Sequence, residues 1–371
     1  MYMDKFSTTV EPLEVAEPDD GPLLFETQLD QFDKFPKIRF MGSKHRLIPW
    51  LSAILGSCEF DSVLDAFSGS GAVAYYMKCA GKRVIANDFL EFTHRIANAT
   101  IENSVERLQD RDVDILTDDS GPGPDFIQKT FDQIFYTPED LKFLDIVSGN
   151  LAKLANDYKR SLALSALTRS CLKRQPRGVF TVRSWHNKYD DGRRDLRLSL
   201  EDHFREQVSV YNSTVFGNGR ENRALRTDVF DIDLDDLPAI DLVYLDPPYV
   251  PRSDDNDYIK RYHFVEGLSQ YWKGLEIQQS SKVHKIPKRF TPFSYRRTAI
   301  DAFRSMFRKF SDSIIALSYS SNGYPDLKTL VGLMGEVKAD IQIYKRQHRY
   351  HFGTHASVRR SVVDEFLILG K

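Results

Sequence analysis

Apolar and polar positions divide the chain into short buried segments and longer helical ones. Five segments are apolar enough to form strands of a sheet: residues 63–65, 83–86, 226–230, 240–245 and 313–320. Between them, apolar residues recur every three or four positions, as at Leu151, Leu154 and Tyr158, which predicts helices. Strands that alternate with helices predict an α/β fold. Two final segments, Ile341–Tyr344 and Val362–Leu369, predict a terminal pair of antiparallel strands.

A strand that ends abruptly in two prolines is the most informative stretch. The apolar run Leu242–Leu245 stops at Asp246-Pro247-Pro248, because proline cannot donate to a sheet ladder. Such a stiff turn lies where open α/β sheets place their ligands. It offers the Asp246 carboxylate, the Pro247 carbonyl and the Tyr249 ring, which together suit a flat ring that carries an amino group. Taken alone, the tetrapeptide is equally compatible with an ordinary strand-ending turn.

A glycine turn and a distant acid indicate a ligand with a ribose. Residues 63–73 read as a strand, a glycine turn and a helix, and Gly69 and Gly71 let the backbone approach a ligand. Asp88 ends the next strand, roughly 20 residues later, where an acid can accept hydrogen bonds from ribose hydroxyls. Position 74 is Ala, so the third glycine of a dinucleotide fingerprint is missing. Together these features predict an adenosine-containing cofactor.

The segment Ile38–Lys44 precedes a further helical pattern. Gly42 allows close backbone approach, and Lys44 could meet an anion or a carboxylate. An ordinary loop with a solvated lysine is the alternative.

Composition narrows the setting and the partner. The 371 residues suggest one large domain with insertions, or two domains. Three widely spaced cysteines form neither a zinc pattern nor a disulfide framework, and no apolar run reaches membrane-spanning length. We therefore expect a cytoplasmic protein without a membrane partner.

The net charge is −2, but residues 169–197 and 260–297 are basic and interleaved with aromatics, a pattern typical of contact with a polyanion. Solvated helix faces are the alternative.

These motifs occur together in the order of a known family. The ordered set Arg39–Lys44, Asp65–Gly71, Asn87-Asp88, Asp228 and Asp246–Tyr249 resembles the Dam-type, alpha-group DNA adenine methyltransferases, which use S-adenosylmethionine. The resemblance runs from about Lys37 to Gly370. It implies a Rossmann-like, S-adenosylmethionine-dependent methyltransferase fold. In this fold a seven-stranded, mostly parallel sheet has helices on both faces, an antiparallel last strand and a helical target-recognition insertion.

The resemblance also implies a division of the chain. We predict a flexible acidic arm at 1–35, a catalytic domain from 36–100 and 222–371, and a helical target-recognition insertion at 101–221. A second basic, DNA-contacting insertion is predicted at 251–300, within the catalytic domain.

Site residues carry over from the family position by position. The predicted target-adenine residues are Asp246, Pro247, Pro248 and Tyr249. The predicted cofactor residues are Phe40, Gly42, Lys44, Asp65, Phe67, Gly69, Gly71, Asp88, Asp228, Val229 and Asp246. Family members often have a second glycine before the lysine, where this chain has Ser43. Related tetrapeptides that begin with Ser or Asn act on cytosine or on protein glutamine, so Asp246 favours adenine.

The expected reaction is methyl transfer from S-adenosylmethionine to the N6 amino group of an adenine turned out of duplex DNA, without a metal. Candidate DNA contacts are the cations Arg174, Arg177, Arg183, Lys288 and Arg289. We expect a monomer that serves in a restriction–modification pair, with a cognate restriction endonuclease, or as a solitary or phage-borne enzyme. An RNA adenine methyltransferase and a non-catalytic DNA-binding regulator are the alternatives. The recognition sequence cannot be deduced from these residues.

Overall fold

The computed structural model describes residues 29–184, 190–251, 258–349 and 362–371. The strands are β1 (Ser62–Asp65), β2 (Arg83–Asn87), β3 (Arg223–Leu225), β4 (Leu242–Leu245), β5 (Val250–Pro251), β6 (Ile314–Ser320), β7 (Gly323–Tyr324), β8 (Ile341–Arg349) and β9 (Val362–Gly370). The α-helices are α1 (Leu29–Asp33), α2 (Ile48–Leu55), α3 (Ala72–Cys79), α4 (Glu91–Ala97), α5 (Asp110–Thr117), α6 (Phe126–Thr130), α7 (Pro138–Asn150), α8 (Asp157–Arg174), α9 (Arg194–Arg197), α10 (Leu200–Thr214), α11 (Tyr258–Ser269), α12 (Arg296–Lys309) and α13 (Leu327–Met334). Short 3-10 helices span Lys44–Leu47, Leu151–Lys153, Val229–Asp231 and Pro292–Ser294, and a π-helix spans Asn98–Glu102.

Seven strands form one sheet in the order β3-β2-β1-β4-β6-β9-β8. β1 pairs in parallel with β2 and β4, while β9 runs antiparallel between β6 and β8. The predicted mostly parallel, seven-stranded sheet with an antiparallel last strand is confirmed. β5 and β7 form a separate antiparallel pair just beyond the double-proline turn.

Two apolar cores cover the two faces of the sheet. Successive strand residues point to opposite faces, so Val63 of β1 joins one core and Leu64 joins the other. Helices α2, α3, α4 and α11 contribute to the first core, and α12 and α13 to the second. Helices α5, α6, α7, α8 and α10 share the first core, through residues such as Leu162 and Phe204. The described part of residues 101–221 is thus largely helical, as expected, and its role in target recognition stays a prediction.

The predicted acidic arm extends too far along the chain. Residues 1–28 lie outside the described part, but Leu29–Asp33 is helical, and Phe32 and Phe35 are buried. Phe35 stacks on Tyr75 with ring centroids 4.5 Å apart. The prediction that the arm reaches residue 35 was wrong, because these two aromatic side chains belong to the core.

Two other expectations need correction. The strand expected near residues 226–230 is instead Arg223–Leu225, because the Asp228 side chain accepts a hydrogen bond from the Phe230 amide and begins a 3-10 helix. Within the insertion predicted at 251–300, the aromatic side chains of α11 are packed inside the protein: Tyr262, His263 and Phe264 are at most 1% exposed. This part of the second insertion is core and not a DNA-contacting surface.

Across the described residues, no helix has the length and apolarity needed to cross a membrane.

Candidate active site

A pocket lies where β1, β2 and β4 end. These neighbouring parallel strands end at Asp65, Asn87 and Leu245, so the carboxylates of Asp65, Asp88 and Asp246 meet at one edge of the sheet. The pocket walls come from five separate segments, which contribute residues 40–44, 65–70 with 72–73, 87–90, 227–229, and 289–291 with 293, together with Tyr244, Asp246, Pro248 and Tyr258. The edge brings three carboxyl groups together in a largely buried setting, and the pKa of each is raised by burial.

Lys44 faces the carboxylate that ends β4. Its Nζ lies 2.8 Å from Asp246 Oδ1 and 3.2 Å from the Gly42 carbonyl oxygen. The Lys44 side chain is 6% exposed and that of Asp246 is 20% exposed. Burial raises the pKa of Asp246, whereas the charge and hydrogen bond of Lys44 lower it. Lys44 therefore favours the ionised form of Asp246, in which both oxygens are acceptors.

Asp65 is a buried carboxylate that points to a cationic ligand. It is 1% exposed, and neither oxygen makes a hydrogen bond of ordinary length and angle among the described residues, although the Phe67 and Ala74 amides lie close enough to lower its pKa. Burial, followed by repulsion from Asp246 and Asp88, raises the pKa of Asp65 to about 8. Leaving a buried polar group unsatisfied costs roughly 1–3 kcal/mol, so such a group requires an explanation. A bound ammonium or N–H donor in the pocket would satisfy it.

The glycine turn is held by the acid of the second strand. Asp88 Oδ2 accepts from the Gly69 amide at 2.9 Å, and Oδ1 accepts from the Leu90 amide at 3.0 Å. Gly69 has φ +49°, and a Cβ there would lie 2.8 Å from the Phe40 ring. Burial raises the pKa of Asp88. Asp88 thus shapes the loop directly and also lines the pocket.

The opposite end of the pocket is aromatic. Asp228 and Val229 line it at the start of the 3-10 helix Val229–Asp231. Phe293 packs edge-on against Phe67 at 5.6 Å and stacks on Phe230 at 5.5 Å, measured between ring centroids. The Phe67 and Phe293 rings and the Asp228 carboxylate all line the pocket, a combination that suits a flat heterocycle with a donor at its edge.

The rest of the double-proline turn lies beside the pocket. Pro247 and Pro248 are buried, and Pro248 lines the pocket. The Tyr249 ring centroid lies 5.1 Å from that of Tyr319. Val250 then pairs with Tyr324 in the small sheet, which fixes the direction of the chain after the turn.

The predicted DNA-binding cations lie in different environments. Arg174 is 8% exposed, pairs with Asp140 at 2.9 Å and donates to the Leu196 carbonyl. This geometry contradicts its predicted contact with DNA, because the side chain already holds α8 to its neighbours. Arg177, Arg183 and Lys288 are exposed. Arg289 is also exposed, but it lines the pocket, a position that contact with DNA would not explain.

Several pocket residues were not predicted from the sequence. Tyr258, at the start of α11, places its hydroxyl 3.4 Å from where a Cβ on Gly42 would lie. Phe89, Phe290 and Phe293 also line the pocket. Phe89 could have been found, since it directly follows the predicted ribose acid. Tyr258, Phe290 and Phe293 lie in the stretch 251–300, whose pattern of cations and aromatics had been interpreted as a DNA-binding surface.

Comparison with known proteins places these features in one family. A family model described as D12 class N6 adenine-specific DNA methyltransferase matches residues 40–311. Type II methyltransferase M2.HphI of Haemophilus parahaemolyticus is 30% identical over 330 residues, which cover 85% of this chain and 93% of that protein. Modification methylase StsI of Streptococcus sanguinis is 23% identical, and Type II methyltransferase M.FokI of Planomicrobium okeanokoites is 22% identical. Those two matches cover 88% and 86% of this chain but only 51% and 50% of the relatives' own lengths.

Proposed function

This chain belongs to the D12 class N6 adenine-specific DNA methyltransferase family, and from that premise we propose how its pocket carries out the reaction. The cofactor is S-adenosylmethionine, which when bound supplies a methyl group on a sulfonium, a good leaving group. The substrate is an adenine turned out of duplex DNA, because a stacked and paired adenine cannot present its amino group inside a protein pocket.

The pocket residues fit this cofactor. The Asp65 carboxylate, whose oxygens make no hydrogen bond of ordinary length and angle among the described residues, would accept from the cofactor's amino group. Gly69 would let the backbone approach the ligand, whereas Gly71 does not line the pocket and a Cβ there would meet Phe35 and Ile96. Asp228 and the Val229 backbone would hold the cofactor adenine. The Asp88 oxygens accept from the Gly69 and Leu90 amides, and the Thr93 hydroxyl and the Phe89 amide also lie close enough to lower the pKa of Asp88. We assign the remaining acceptor capacity of the carboxylate to the ribose hydroxyls.

Asp246 and Pro247 would activate the target amine. The N6 lone pair of adenine is delocalised into the ring, so the amine is a poor nucleophile. When the Asp246 carboxylate and the Pro247 carbonyl accept its two hydrogens, the nitrogen can pyramidalise and direct its lone pair at the methyl group. Asp246 is also placed to receive the proton that the methylated nitrogen must lose. No covalent enzyme intermediate is required, and positioning and electrostatics supply the rate.

Lys44 would set the protonation state on which this depends. A protonated Asp246 would offer one donor and lose much of its acceptor strength. The Lys44 ammonium opposes the effect of burial, which still leaves the pKa of Asp246 above its usual value, and would favour the ionised carboxylate. The buried ion pair of Lys44 with Asp246, at 2.8 Å, is the single observation that carries the proposal.

DNA would approach from the carboxyl edge of the sheet. Tyr249 would stack on the displaced adenine and replace part of its lost stacking. The exposed cations Arg177, Arg183 and Lys288 would contact the phosphate backbone. We further propose that the enzyme acts as a monomer. We also propose that it serves as the modification partner of a restriction endonuclease, because its relatives are Type II methyltransferases.

The test uses purified protein, unmethylated duplex DNA and S-adenosylmethionine labelled in the methyl group. We expect label in N6-methyladenine at one short sequence. Asp246→Asn should reduce transfer at least about a hundredfold while cofactor affinity changes little, because we assign Asp246 to the target amine and not, as the sequence prediction also had it, to the cofactor. Label that enters RNA but not DNA would overturn the substrate assignment. Cofactor binding without transfer to either would favour a regulator, and loss of cofactor binding in the variant would show that Asp246 is misplaced.

A further inference from the structure

We infer that Arg289 is a cofactor-positioning residue that acts through Phe89, and that it does not serve as a DNA contact. The inference rests on the proposed use of S-adenosylmethionine. It concerns the outer wall of the pocket, residues 289–293, which follows α11 in the chain and reaches the loop after β2. Both Arg289 and Phe89 line the pocket.

Two contacts join Arg289 to Phe89. Arg289 Nη1 donates to the Phe89 carbonyl oxygen at 3.1 Å. The guanidinium carbon lies 4.6 Å from the centroid of the Phe89 ring. The first contact fixes the backbone of the loop and the second fixes the ring, so the arginine specifies both the position and the orientation of Phe89. Such a planar, charged group is suited to making both contacts at once.

Phe89 is placed where the cofactor adenosine is expected. It follows Asp88, whose two oxygens hold the glycine turn and the Leu90 amide. A ring that is fixed in this loop forms a preorganised wall, whereas a mobile one would have to be ordered when the ligand binds. Ordering one such side chain on binding weakens the affinity by about twofold to tenfold.

The far end of the wall is anchored in the protein core. Phe293 is 1% exposed and packs between Phe67 and Phe230. The neighbouring outward-facing side chains behave differently: Phe290 is 60% exposed and stacks on Tyr295, and Lys288 Nζ lies 5.4 Å from the Tyr295 ring. Lys288 is therefore a natural control, since it is an adjacent exposed cation that rests on a different aromatic ring.

The experiment measures cofactor and DNA binding separately on the full chain. For Arg289→Ala we expect the Kd for S-adenosylmethionine, measured by calorimetry, to rise about tenfold, and the KM for the cofactor to rise with it. The kcat at saturating cofactor and the DNA affinity should stay within about twofold, because the reacting groups are untouched. Arg289→Lys should keep part of the affinity, since the cation remains but the planar fork is lost. Lys288→Ala should leave the cofactor Kd unchanged.

Two results would overturn the inference. One is an unchanged cofactor Kd in Arg289→Ala when the wild type binds the cofactor. The other is weaker DNA binding whose salt dependence falls by about one unit of slope, as expected for a lost phosphate contact. Failure of the wild type to bind S-adenosylmethionine at all would instead refute the proposed function. A Phe89→Ala variant provides a cycle: if Arg289 acts through Phe89, the double variant should bind no more weakly than Phe89→Ala alone.

Discussion

Replacing Lys44 by methionine is expected to move the acid limb of the pH–activity profile to higher pH. Burial raises the pKa of Asp246, and the Lys44 ammonium at 2.8 Å lowers it. Without that ammonium the pKa of Asp246 rises further. Activity requires the ionised acceptor and is lost as pH falls through the pKa of Asp246. In Lys44→Met this loss therefore begins at higher pH than in the wild type.

The magnitude follows from the burial of the pair. Removing one partner of a buried ion pair costs roughly 3–5 kcal/mol, because the other charge is left without compensation. The Asp246 side chain is 20% exposed, so we expect the lower end, about 3 kcal/mol, when Asp246 stays ionised. If Asp246 instead takes up a proton, the destabilisation is smaller and the loss appears in activity. Near neutral pH, kcat/KM should fall by roughly a hundredfold to a thousandfold, as when a preorganised electrostatic partner is removed.

The assay is kcat/KM against pH for wild type and variant, with unfolding by urea measured in parallel. Lys159 provides a matched control, because its Nζ lies 2.7 Å from Asp112 in a similarly buried pair, with the two side chains 11% and 5% exposed. Lys159→Met should lose comparable stability and keep the wild-type pH profile. The reasoning is refuted if Lys44→Met retains the wild-type acid limb, or if Lys159→Met shifts it equally, since the shift would then report general destabilisation.

Two further substitutions separate cofactor binding from stability. Gly69→Ala should raise the Kd for S-adenosylmethionine at least about tenfold, because its Cβ would lie 2.8 Å from the Phe40 ring. Gly81 is also at positive φ, but a Cβ there would have no described atom within 4 Å. Gly81→Ala should therefore lower the free energy of unfolding in urea by about 1–2 kcal/mol, the backbone strain that both variants share, and leave the cofactor Kd unchanged. Asp65→Asn should weaken cofactor binding, while the ligand-free variant should be at least as stable as the wild type. Burial raises the pKa of Asp65 to about 8, so below that pH the amide replaces a group that is already mostly neutral. A marked loss of stability without cofactor would contradict this account.

Local chemistry explains which parts of the site could be predicted. The double-proline turn and the glycine turn are encoded by residues that restrict or free the backbone where they stand. The strand that precedes each turn is a short apolar run, and the strands pair as neighbours in the sheet. The meeting of Asp65, Asp88 and Asp246 at one edge then follows from the parallel arrangement of β1, β2 and β4.

Long-range pairing explains what could not be predicted. Arg174 stands in a basic, aromatic stretch, yet its partner Asp140 lies on another helix and removes it from any surface. The stretch Tyr262–Phe264 shows the same ambiguity, since cations interleaved with aromatics are typical both of DNA-binding surfaces and of amphipathic helices that pack in a core. Sequence alone does not distinguish these cases, because the distinction depends on what covers each aromatic ring.

The burial of α11 gives this stretch a role in the site without any contact to DNA. The Met41 amide donates to the Tyr262 hydroxyl at 2.7 Å, which fixes the segment leading to Lys44. One turn further along α11, Glu266 accepts from the Glu91 amide at 3.1 Å and so caps the helix that follows the Asp88 loop. A single buried helix thus holds two walls of the pocket that are far apart in sequence. It follows that the aromatic residues of α11 are constrained by the geometry of the cofactor pocket. Their substitution should raise the Kd for the cofactor more than the Kd for DNA.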